Sequence, residues 1–307
     1  MQTAFITHPD CLRHEMGPYH PECPARLSAI EDRLIASGLN LHLARHEAPL
    51  VERHCLTRVH SERHVAFVEA ASPEDGYVQL DPDTAMNAWS LDAARRAAGA
   101  AVLATDLTAR NEADNAFCAV RPPGHHATHE QAMGFCFFNN VAVAAAHAMA
   151  VHGATRVAIV DFDVHHGNGT ENIFHDDPRV LFCSTFEHPF YPYCGAGSGN
   201  EHVINVPLAA GASSAEFRAA VTEHWLPELD RFRPQFLFVS AGFDAHREDE
   251  LAFLNLVDGD YRWVTRELKA LADRHCPGRI VSMLEGGYAQ NALGRCVEIH
   301  VRELAGL

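Results

Sequence analysis

The sequence predicts a single-domain α/β fold with a mostly parallel sheet covered by helices on both faces. Short apolar runs alternate with helical stretches along the whole chain, which is the pattern of a parallel sheet. No linker, low-complexity segment or internal repeat interrupts this alternation, so we expect one domain over residues 1–307. The chain is 47% hydrophobic and 21% charged, which provides enough apolar material for one large core.

Seven short runs are candidate strands, because they are rich in β-branched or aromatic residues and are bounded by turn residues. They are Thr3 to Thr7, Asn115 to Val120, Arg156 to Phe162, Val180 to Thr185, His202 to Val206, Phe236 to Ala241 and Ile280 to Leu284. Five stretches have Ala, Leu, Glu and Arg at helical spacings. These candidate helices are Pro24 to Ser37, Leu91 to Thr105, Asn140 to His152, Ala215 to Phe232 and Asp260 to Arg274.

The charge is strongly acidic, with 40 Asp and Glu against 24 Lys and Arg and a formal net charge of -16. No Lys/Arg cluster is present to follow phosphates, which disfavours nucleic acid and anionic membranes as partners.

Nine cysteines without CxxC pairs indicate reduced core residues. The N-terminus lacks the features of a secretion signal, so a soluble cytoplasmic protein is expected. A homo-oligomer is compatible with this composition.

A metal site is predicted where an apolar strand runs into Asp161, Asp163 and His165 in VAIVDFDVHHGNG. Alternation in an extended strand would place these side chains on one face. Carboxylates and an imidazole suit zinc or another first-row divalent metal. Asp244 follows the strand FLFVSAG and completes a set of two carboxylates and one imidazole. Such a set leaves a metal position open, as in catalytic zinc sites.

Two further segments carry groups for proton transfer and charge stabilisation. His125 and His126 lie in the Pro-Gly turn of AVRPPGHHATHE. Adjacent side chains on an extended turn point to different sides, so this pair suits proton transfer better than joint metal ligation. Tyr288 follows a strand and two glycines, which permit a tight turn. Beside a metal, its phenol could donate to an oxyanion. All these residues should meet at the carboxyl edge of the sheet.

Five ordered motifs, RPPGHH, GFCFFNN, DFDVHHGNG, SAGFDAH and EGGY, resemble the histone deacetylase-like superfamily, which shares the arginase-type fold. The match covers nearly the whole chain. HHGNG and EGGY, in place of the HHGDG and GGGGY of class I deacetylases, make the chain similar to class II or bacterial histone deacetylase-like amidohydrolases. The resemblance implies zinc-dependent hydrolysis of the amide bond of N-acylated amines, with one Zn²⁺ per chain.

The resemblance also implies roles for individual residues. The zinc ligands match Asp163, His165 and Asp244. His125 and His126 match the general base and acid pair, and Tyr288 matches the hydrogen-bond donor to the transition state. Asp161 matches the partner of the first histidine and Asn168 that of the second. Asn168 stands where class I has Asp, and a neutral amide should raise the pKa of His126 less than a carboxylate would.

The residues of a narrow acyl-lysine tunnel are implied in the same way. Phe135 matches one wall and Tyr191 the other, with Phe190 as the alternative. Tyr191 departs from the Phe usual in the family. Gly134 matches the residue whose carbonyl receives the substrate amide N–H.

Further positions concern the tunnel mouth and the cavity beneath the zinc. Asp83, or alternatively Asp81, matches an acidic loop residue that holds the backbone of peptide substrates. Arg26 matches the arginine of the cavity beneath the zinc.

Family members also bind potassium as a structural cation. The matching positions are Asp161, Asp163, His165, Ser184 and Thr185 near the zinc, and Phe174, Asp177 and Val180 further out.

The substrate is expected to be an acyl-lysine peptide or protein, or an acylated small amine. Leu251 stands seven residues after Asp244, where polyamine-selective relatives carry a Glu gatekeeper, which favours acyl-lysine over an acetylpolyamine. The rivals are an acetylpolyamine amidohydrolase, a dinuclear manganese ureohydrolase and a non-catalytic acyl-lysine binding module. A dinuclear site needs a denser Asp-x-His-x-Asp pattern, whereas position 167 is Gly.

Overall fold

A computed structural model describes residues 2–307 and shows ten strands among them. The strands are β1 Thr3–Thr7, β2 Leu43–Glu47, β3 Val78–Asp81, β4 Thr84–Met86, β5 Asn115–Cys118, β6 Val157–Asp161, β7 Val180–Glu187, β8 Val203–Leu208, β9 Phe236–Ala241 and β10 Ile280–Leu284. Eight of them form one sheet in the order β2-β1-β5-β10-β9-β6-β7-β8. Every neighbouring pair in this sheet is parallel, while β3 and β4 form a separate antiparallel hairpin.

Ten α-helices connect or extend the strands of the described chain. They are α1 Ala25–Ala36, α2 Arg53–Leu56, α3 Glu62–Ala71, α4 Ser90–Ala109, α5 Asn140–His152, α6 Asn168–Phe174, α7 Ser214–Ala220, α8 Leu226–Phe232, α9 Asp258–His275 and α10 Gln290–Ala305. Helix α10 packs against α1 and α9, and α4 packs against α5. These two groups cover the two faces of the sheet, which confirms the predicted fold class.

The four central strands, β5, β10, β9 and β6, are buried at every position. Helices on both faces exclude water from these strands, so their sequences are continuous apolar runs. A sheet with one face in water would instead have alternating apolar and polar residues. Helix α5 is also buried along most of its length. It begins at Asn139, whose side chain accepts from the Ala142 N–H at 3.0 Å, and it ends at Gly153 in the left-handed conformation. These are the expected helix-capping residues.

The predicted elements are present, and several lie within a residue or two of the observed bounds. The prediction missed β2, the β3–β4 hairpin and the helices α2, α3, α6 and α10. Strand β2 is an edge strand with charged, partly exposed residues, so it lacks a buried apolar run. The single helix predicted over Ala215 to Phe232 is interrupted by a π-helical turn at Val221–Trp225. Pro227 follows this turn and cannot donate the backbone hydrogen bond of a regular helix.

Within residues 2–307, none of the helices has the length and apolar character needed to cross a bilayer.

Two glycines in helices provide a matched test of this packing. A methyl group at Gly99 in α4 would overlap the backbone carbonyl of Pro49, so Gly99→Ala should destabilise the fold by about 1–3 kcal/mol. The nearest atom to a methyl group at Gly259 in α9 is 4.0 Å away, so Gly259→Ala should be neutral or stabilise by up to about 1 kcal/mol. Denaturant unfolding of both variants measures the difference, and equal effects would contradict this view of the α4 contact.

Candidate active site

The carboxyl ends of four neighbouring strands converge on one group of side chains. Asp161 ends β6, and Asp244 lies three residues after β9. The tandem histidines follow β5, and Tyr288 follows β10. Because these strands are parallel neighbours, their carboxyl ends lie at the same edge, where open α/β sheets place their sites.

Asp163, His165 and Asp244 form a compact group whose ligand atoms all lie within 4.8 Å of one another. His165 Nδ1 lies 3.0 Å from Asp163 Oδ1 and 3.3 Å from Asp244 Oδ2. Asp244 is 1% exposed, and its Oδ2 has no hydrogen-bond partner among the described residues. A buried carboxylate oxygen without a donor, facing an imidazole nitrogen, fits the position of a metal ligand. The predicted ligand set is therefore brought together in a geometry that suits a divalent metal.

The electrostatics of this group also suit a cation. Burial and the adjacent charge of Asp163 raise the pKa of Asp244 to about 6. Burial opposes protonation of His165, but its hydrogen bond with Asp163 and the charges of Asp163 and Asp244 raise its pKa to about 10. Two carboxylates this close repel one another in a buried site, and a bound dication would relieve that repulsion.

The ligand positions depend on the loop after β6 and on the lack of side chains at two glycines. The strand ends at Asp161, so simple strand alternation does not place His165, contrary to our expectation. Instead, the N–H of His165 donates to Asp163 Oδ1 at 2.9 Å. A Cβ at Gly242 or Gly286 would overlap an aspartate carboxylate. The Gly286 N–H donates to Asp163 Oδ2 at 2.8 Å, so this glycine is needed for close approach.

The tandem histidines lie side by side, with ring centroids 4.0 Å apart, and both line the same cavity. The expectation that they point to different sides is therefore wrong. His125 Nδ1 lies 2.9 Å from Asp161 Oδ2, and His126 Nδ1 lies 2.7 Å from Asn168 Oδ1. Each ring is held by the residue that the family resemblance implied, which leaves the opposite nitrogen of each ring available for chemistry.

The two histidines have opposite pKa shifts. Burial lowers the pKa of His125, but the charges of Asp161 and Asp163 outweigh it and raise the pKa to about 10. Burial and the neighbouring charges of His125 and His165 hold the pKa of His126 well below its usual value. In an adjacent pair with pKa values this different, the ring with the raised pKa can stabilise negative charge, and the ring with the lowered pKa can transfer protons.

Glu285 is a site residue that was not predicted from the sequence. Its Oε2 accepts from the Gly124 N–H at 2.6 Å and the His125 N–H at 3.2 Å, and its Oε1 accepts from the Ser240 hydroxyl at 3.0 Å. Burial raises the pKa of Glu285 to about 7. The sequence signal that could have identified Glu285 is its position as a charged residue directly after the apolar strand IVSML. Glu285 fixes the tandem-histidine turn to β9 and β10.

A cavity of about 210 Å³ leads to these groups. It is lined by Asp83, Pro123, His125, His126, Gly134, Phe135, His165, Phe190, Tyr191, Leu251, Gly286 and Tyr288. Its lining thus contains all the predicted tunnel residues, together with both candidates for the second wall.

The aromatic walls contact the reactive groups directly. Phe135 meets the Tyr288 ring edge to face at 6.0 Å. Tyr191 contacts the His126 ring at 5.2 Å, and Phe190 stacks on the His165 ring at 5.7 Å. The Tyr191 hydroxyl is buried without a hydrogen-bond partner among the described residues. Such walls suit a slender alkyl chain.

The mouth of the cavity is shaped by Asp83 rather than Asp81, because Asp81 is not among the lining residues. Asp83 Oδ1 accepts from the Gly134 N–H at 3.1 Å and from the Thr84 hydroxyl at 2.9 Å. The Thr84 hydroxyl in turn accepts from the Phe135 N–H at 3.0 Å. Phe135 has a φ of 69°, a strained conformation that these hydrogen bonds help to hold.

Arg26 is fully buried behind the site. It donates to the carbonyls of Gly287 at 2.6 Å and Glu285 at 2.5 Å, and to the Glu22 carboxylate at 3.1 Å. Its guanidinium lies 5.0 Å from the centre of the Tyr288 ring. The structure therefore shows Arg26 as a support of the turn that carries Tyr288.

The predicted potassium positions lie on neighbouring elements. Asp161 on β6 pairs in register with Ser184 on β7. Further out, the Phe174 carbonyl accepts from the Asp177 N–H, and the Asp177 carbonyl accepts from the Val180 N–H, both at 3.0 Å. Potassium binding stays a prediction.

The histone deacetylase domain profile matches residues 20–304. The chain therefore belongs to the histone deacetylase family. The histone deacetylase-like amidohydrolase of Pseudomonas aeruginosa is 37% identical over 330 residues, covering 100% of this chain and 87% of the relative. A probable deacetylase of Archaeoglobus fulgidus is 36% identical over 297 residues, covering 94% and 82%.

Two more similarities extend this comparison. The human polyamine deacetylase HDAC10 is 35% identical over 333 residues, covering 100% of this chain and 48% of the relative. The crystal structure of the HDA15 HD domain superposes with a TM-score of 0.93 at 35% identity, covering 99% of this chain and 90% of that one. The family and the fold expected from the sequence are thus confirmed.

The hydrogen bond from His126 to Asn168 generates a prediction about pH. Asn168→Asp places a carboxylate beside His126 Nδ1, which should raise the pKa of His126 by about 1 to 3 pH units. If His126 must be neutral to accept a proton, the acid limb of kcat/KM on an acetylated substrate will move to higher pH by a similar amount.

Asn172→Asp is the matched control, because Asn172 is exposed on the same helix and only accepts a backbone hydrogen bond. An unchanged acid limb in Asn168→Asp, or an equal change in the control, would remove His126 from this role.

Proposed function

We propose that this chain is a zinc-dependent hydrolase that removes acyl groups from lysine side chains of peptides or proteins. The main observation is the buried group of Asp163, His165 and Asp244 at the base of an aromatic-walled cavity. The family includes relatives named as deacetylases and as an amidohydrolase, which supports the reaction class.

The metal would be held by Asp163, His165 and Asp244, whose candidate ligand atoms lie within 4.8 Å of one another. When bound there, zinc would supply the Lewis acidity that polarises an acyl carbonyl and lowers the pKa of a water molecule toward about 7. Two carboxylates and one imidazole leave room for both water and substrate, as in a catalytic site.

His126 is assigned the proton transfers. Its lowered pKa keeps the ring neutral, and the Asn168 side chain accepts the Nδ1–H, so Nε2 can receive a proton from the attacking water. The same nitrogen then returns this proton to the departing amine. His125, held protonated by Asp161 and Asp163, provides a fixed positive charge beside the developing oxyanion.

Tyr288 and Gly134 would orient the substrate amide. Burial raises the pKa of Tyr288 well above its usual value, so the phenol keeps its proton and can donate to the oxyanion. Gly134 offers its carbonyl to the amide N–H of the substrate, although the Cys136 thiol also donates to this carbonyl at 3.2 Å.

Leu251 supports acyl-lysine as the substrate class. It lines the cavity and offers no charge for the distal ammonium of a polyamine. The principal rival substrate is an acetylpolyamine, since the human relative HDAC10 is named a polyamine deacetylase.

A dinuclear ureohydrolase and a non-catalytic binding module receive less support. The Asp-x-His-x-Asp pattern of a dinuclear site would require a metal-ligating side chain at position 167. A Cβ at this position would overlap the Asp161 carboxylate, which disfavours the dinuclear site. A binding module would not need the complete set of metal-ligating and proton-transfer groups. The domain limits 1–307, the cytoplasmic location and the potassium ions stay predictions.

Chelation should abolish hydrolysis of an acetyl-lysine fluorogenic peptide, and zinc added back should restore it, because the metal acidifies the water. The peptide should be cleaved with higher kcat/KM than N-acetylspermidine. The metal content of the reactivated enzyme should be one zinc per chain. Cleavage of the polyamine alone would overturn the substrate class, and no cleavage of either would overturn the proposed function.

Tyr288→Phe should lower kcat by about 100-fold to 1000-fold, the usual cost of losing an oxyanion donor. Zinc content and the unfolding midpoint should stay close to those of the native protein, because the ring remains. Tyr193→Phe is a suitable control, since Tyr193 is an exposed tyrosine outside the cavity lining. Full activity in Tyr288→Phe would exclude Tyr288 as the oxyanion donor.

A further inference from the structure

We infer that Asp249 is a positioning residue that sets the place of Tyr288 and joins its turn to the loop carrying Leu251. This inference rests on the proposed function, because it assigns Asp249 a role in the same reaction. Asp249 does not line the cavity, so it can act only through the residues that it holds.

One carboxylate oxygen fixes the Tyr288 turn. Asp249 Oδ2 accepts from the Tyr288 N–H at 2.6 Å and from the Ala289 N–H at 3.0 Å. Hydrogen bonds to an ionised acceptor are about twice as strong as neutral ones. These two N–H groups lie just before α10 begins at Gln290, where a negative charge is also favoured by the helix dipole.

The second oxygen of the Asp249 carboxylate holds the loop that carries Leu251. Asp249 Oδ1 accepts from the Leu251 N–H at 3.1 Å, and the Asp249 N–H donates to the His246 carbonyl at 2.8 Å. The side chain of Leu251 lines the cavity together with the histidines. A single carboxylate, 6% exposed, therefore connects the proposed oxyanion donor with a wall of the substrate cavity.

The Tyr288 turn needs this restraint because of its own sequence. Two glycines precede Tyr288, and Gly287 has a φ of 120°, a region open mainly to glycine. On the carbonyl side, Arg26 holds Gly287 at 2.6 Å. On the other side of the turn, Asp249 accepts the hydrogen bonds of the Tyr288 and Ala289 N–H groups. A displacement of about 1 Å at a catalytic group can cost about 100-fold in rate.

A simple helix-capping role would predict a different behaviour. Loss of a cap lowers stability but need not lower kcat in proportion, and it would act whether or not the Tyr288 hydroxyl is present. A positioning role requires that the effect on turnover disappear once that hydroxyl has been removed.

Asp249→Asn is the test variant, because it keeps the shape but can supply only one acceptor oxygen to the two sets of N–H groups. We expect kcat on the acetyl-lysine peptide to fall by about 10-fold to 100-fold, with KM little changed and zinc content retained. Glu250→Gln, at the exposed neighbouring acid, should leave both kinetic constants unchanged.

A double-variant cycle separates positioning from stability. In a Tyr288→Phe background, Asp249→Asn should cause no further loss of kcat. The inference would be overturned if the losses of kcat in the two single variants multiplied in the double variant. It would also be overturned if Asp249→Asn alone kept the native kcat or lost its zinc. An inactive native enzyme, or a fully active Tyr288→Phe, would overturn the proposed mechanism and this inference with it.

Hydrogen exchange in the native protein tests the same contact without any variant. The amides of Tyr288 and Ala289 should exchange slowly in the zinc-loaded enzyme, since both donate to a buried carboxylate. Exchange at the rate of an unstructured peptide would overturn the inference even if the Asn variant fails to fold.

Discussion

Glu22 lies fully buried between two arginines, and its carboxylate connects segments that meet at the carboxyl edge of the sheet. Its oxygens accept from Arg121 and from Arg26. Arg121 precedes the tandem-histidine turn, whereas Arg26 holds the carbonyls of Glu285 and Gly287. Burial would raise the pKa of Glu22, but the charge of Arg121 holds it well below its usual value. Removing one partner of such a buried set typically costs about 3–5 kcal/mol, so the site edge depends on this carboxylate.

A second constraint is the concentration of charge at the carboxyl ends of the central strands. Asp161, Asp163, Asp244 and Glu285 are all buried there, beside His125. Such a set is tolerated because each carboxylate has an imidazole, a backbone N–H or a hydroxyl nearby. Among the oxygen atoms of these four carboxylates, Asp244 Oδ2 alone has no hydrogen bond within the described residues. This oxygen faces the proposed metal position. The same features that make this region costly to fold also suit it to bind a cation and stabilise an oxyanion.

Much of this arrangement could be predicted from local sequence. The buried strands β9 and β10 have the predicted bounds, because continuous apolar runs between turn residues have few other solutions. The convergence of Asp163, His165 and Asp244 followed from parallel strands and motif order. By contrast, Asp249 could not be recognised, because an acid in a polar loop has no distinctive pattern. Its partners, the Tyr288 and Ala289 amides, are about forty residues away.

The sequence by itself determined the α/β class, the family and the identity of the groups that meet at the sheet edge, because periodicity and motif order are local properties. Only the tertiary structure decided which acids hold which turns, that both histidines face one cavity, and that Arg26 supports the Tyr288 turn. These features depend on distances between segments far apart in the chain. Hydrogen bonds and pKa shifts vary steeply over a few ångströms, and residue order alone does not specify distances on that scale.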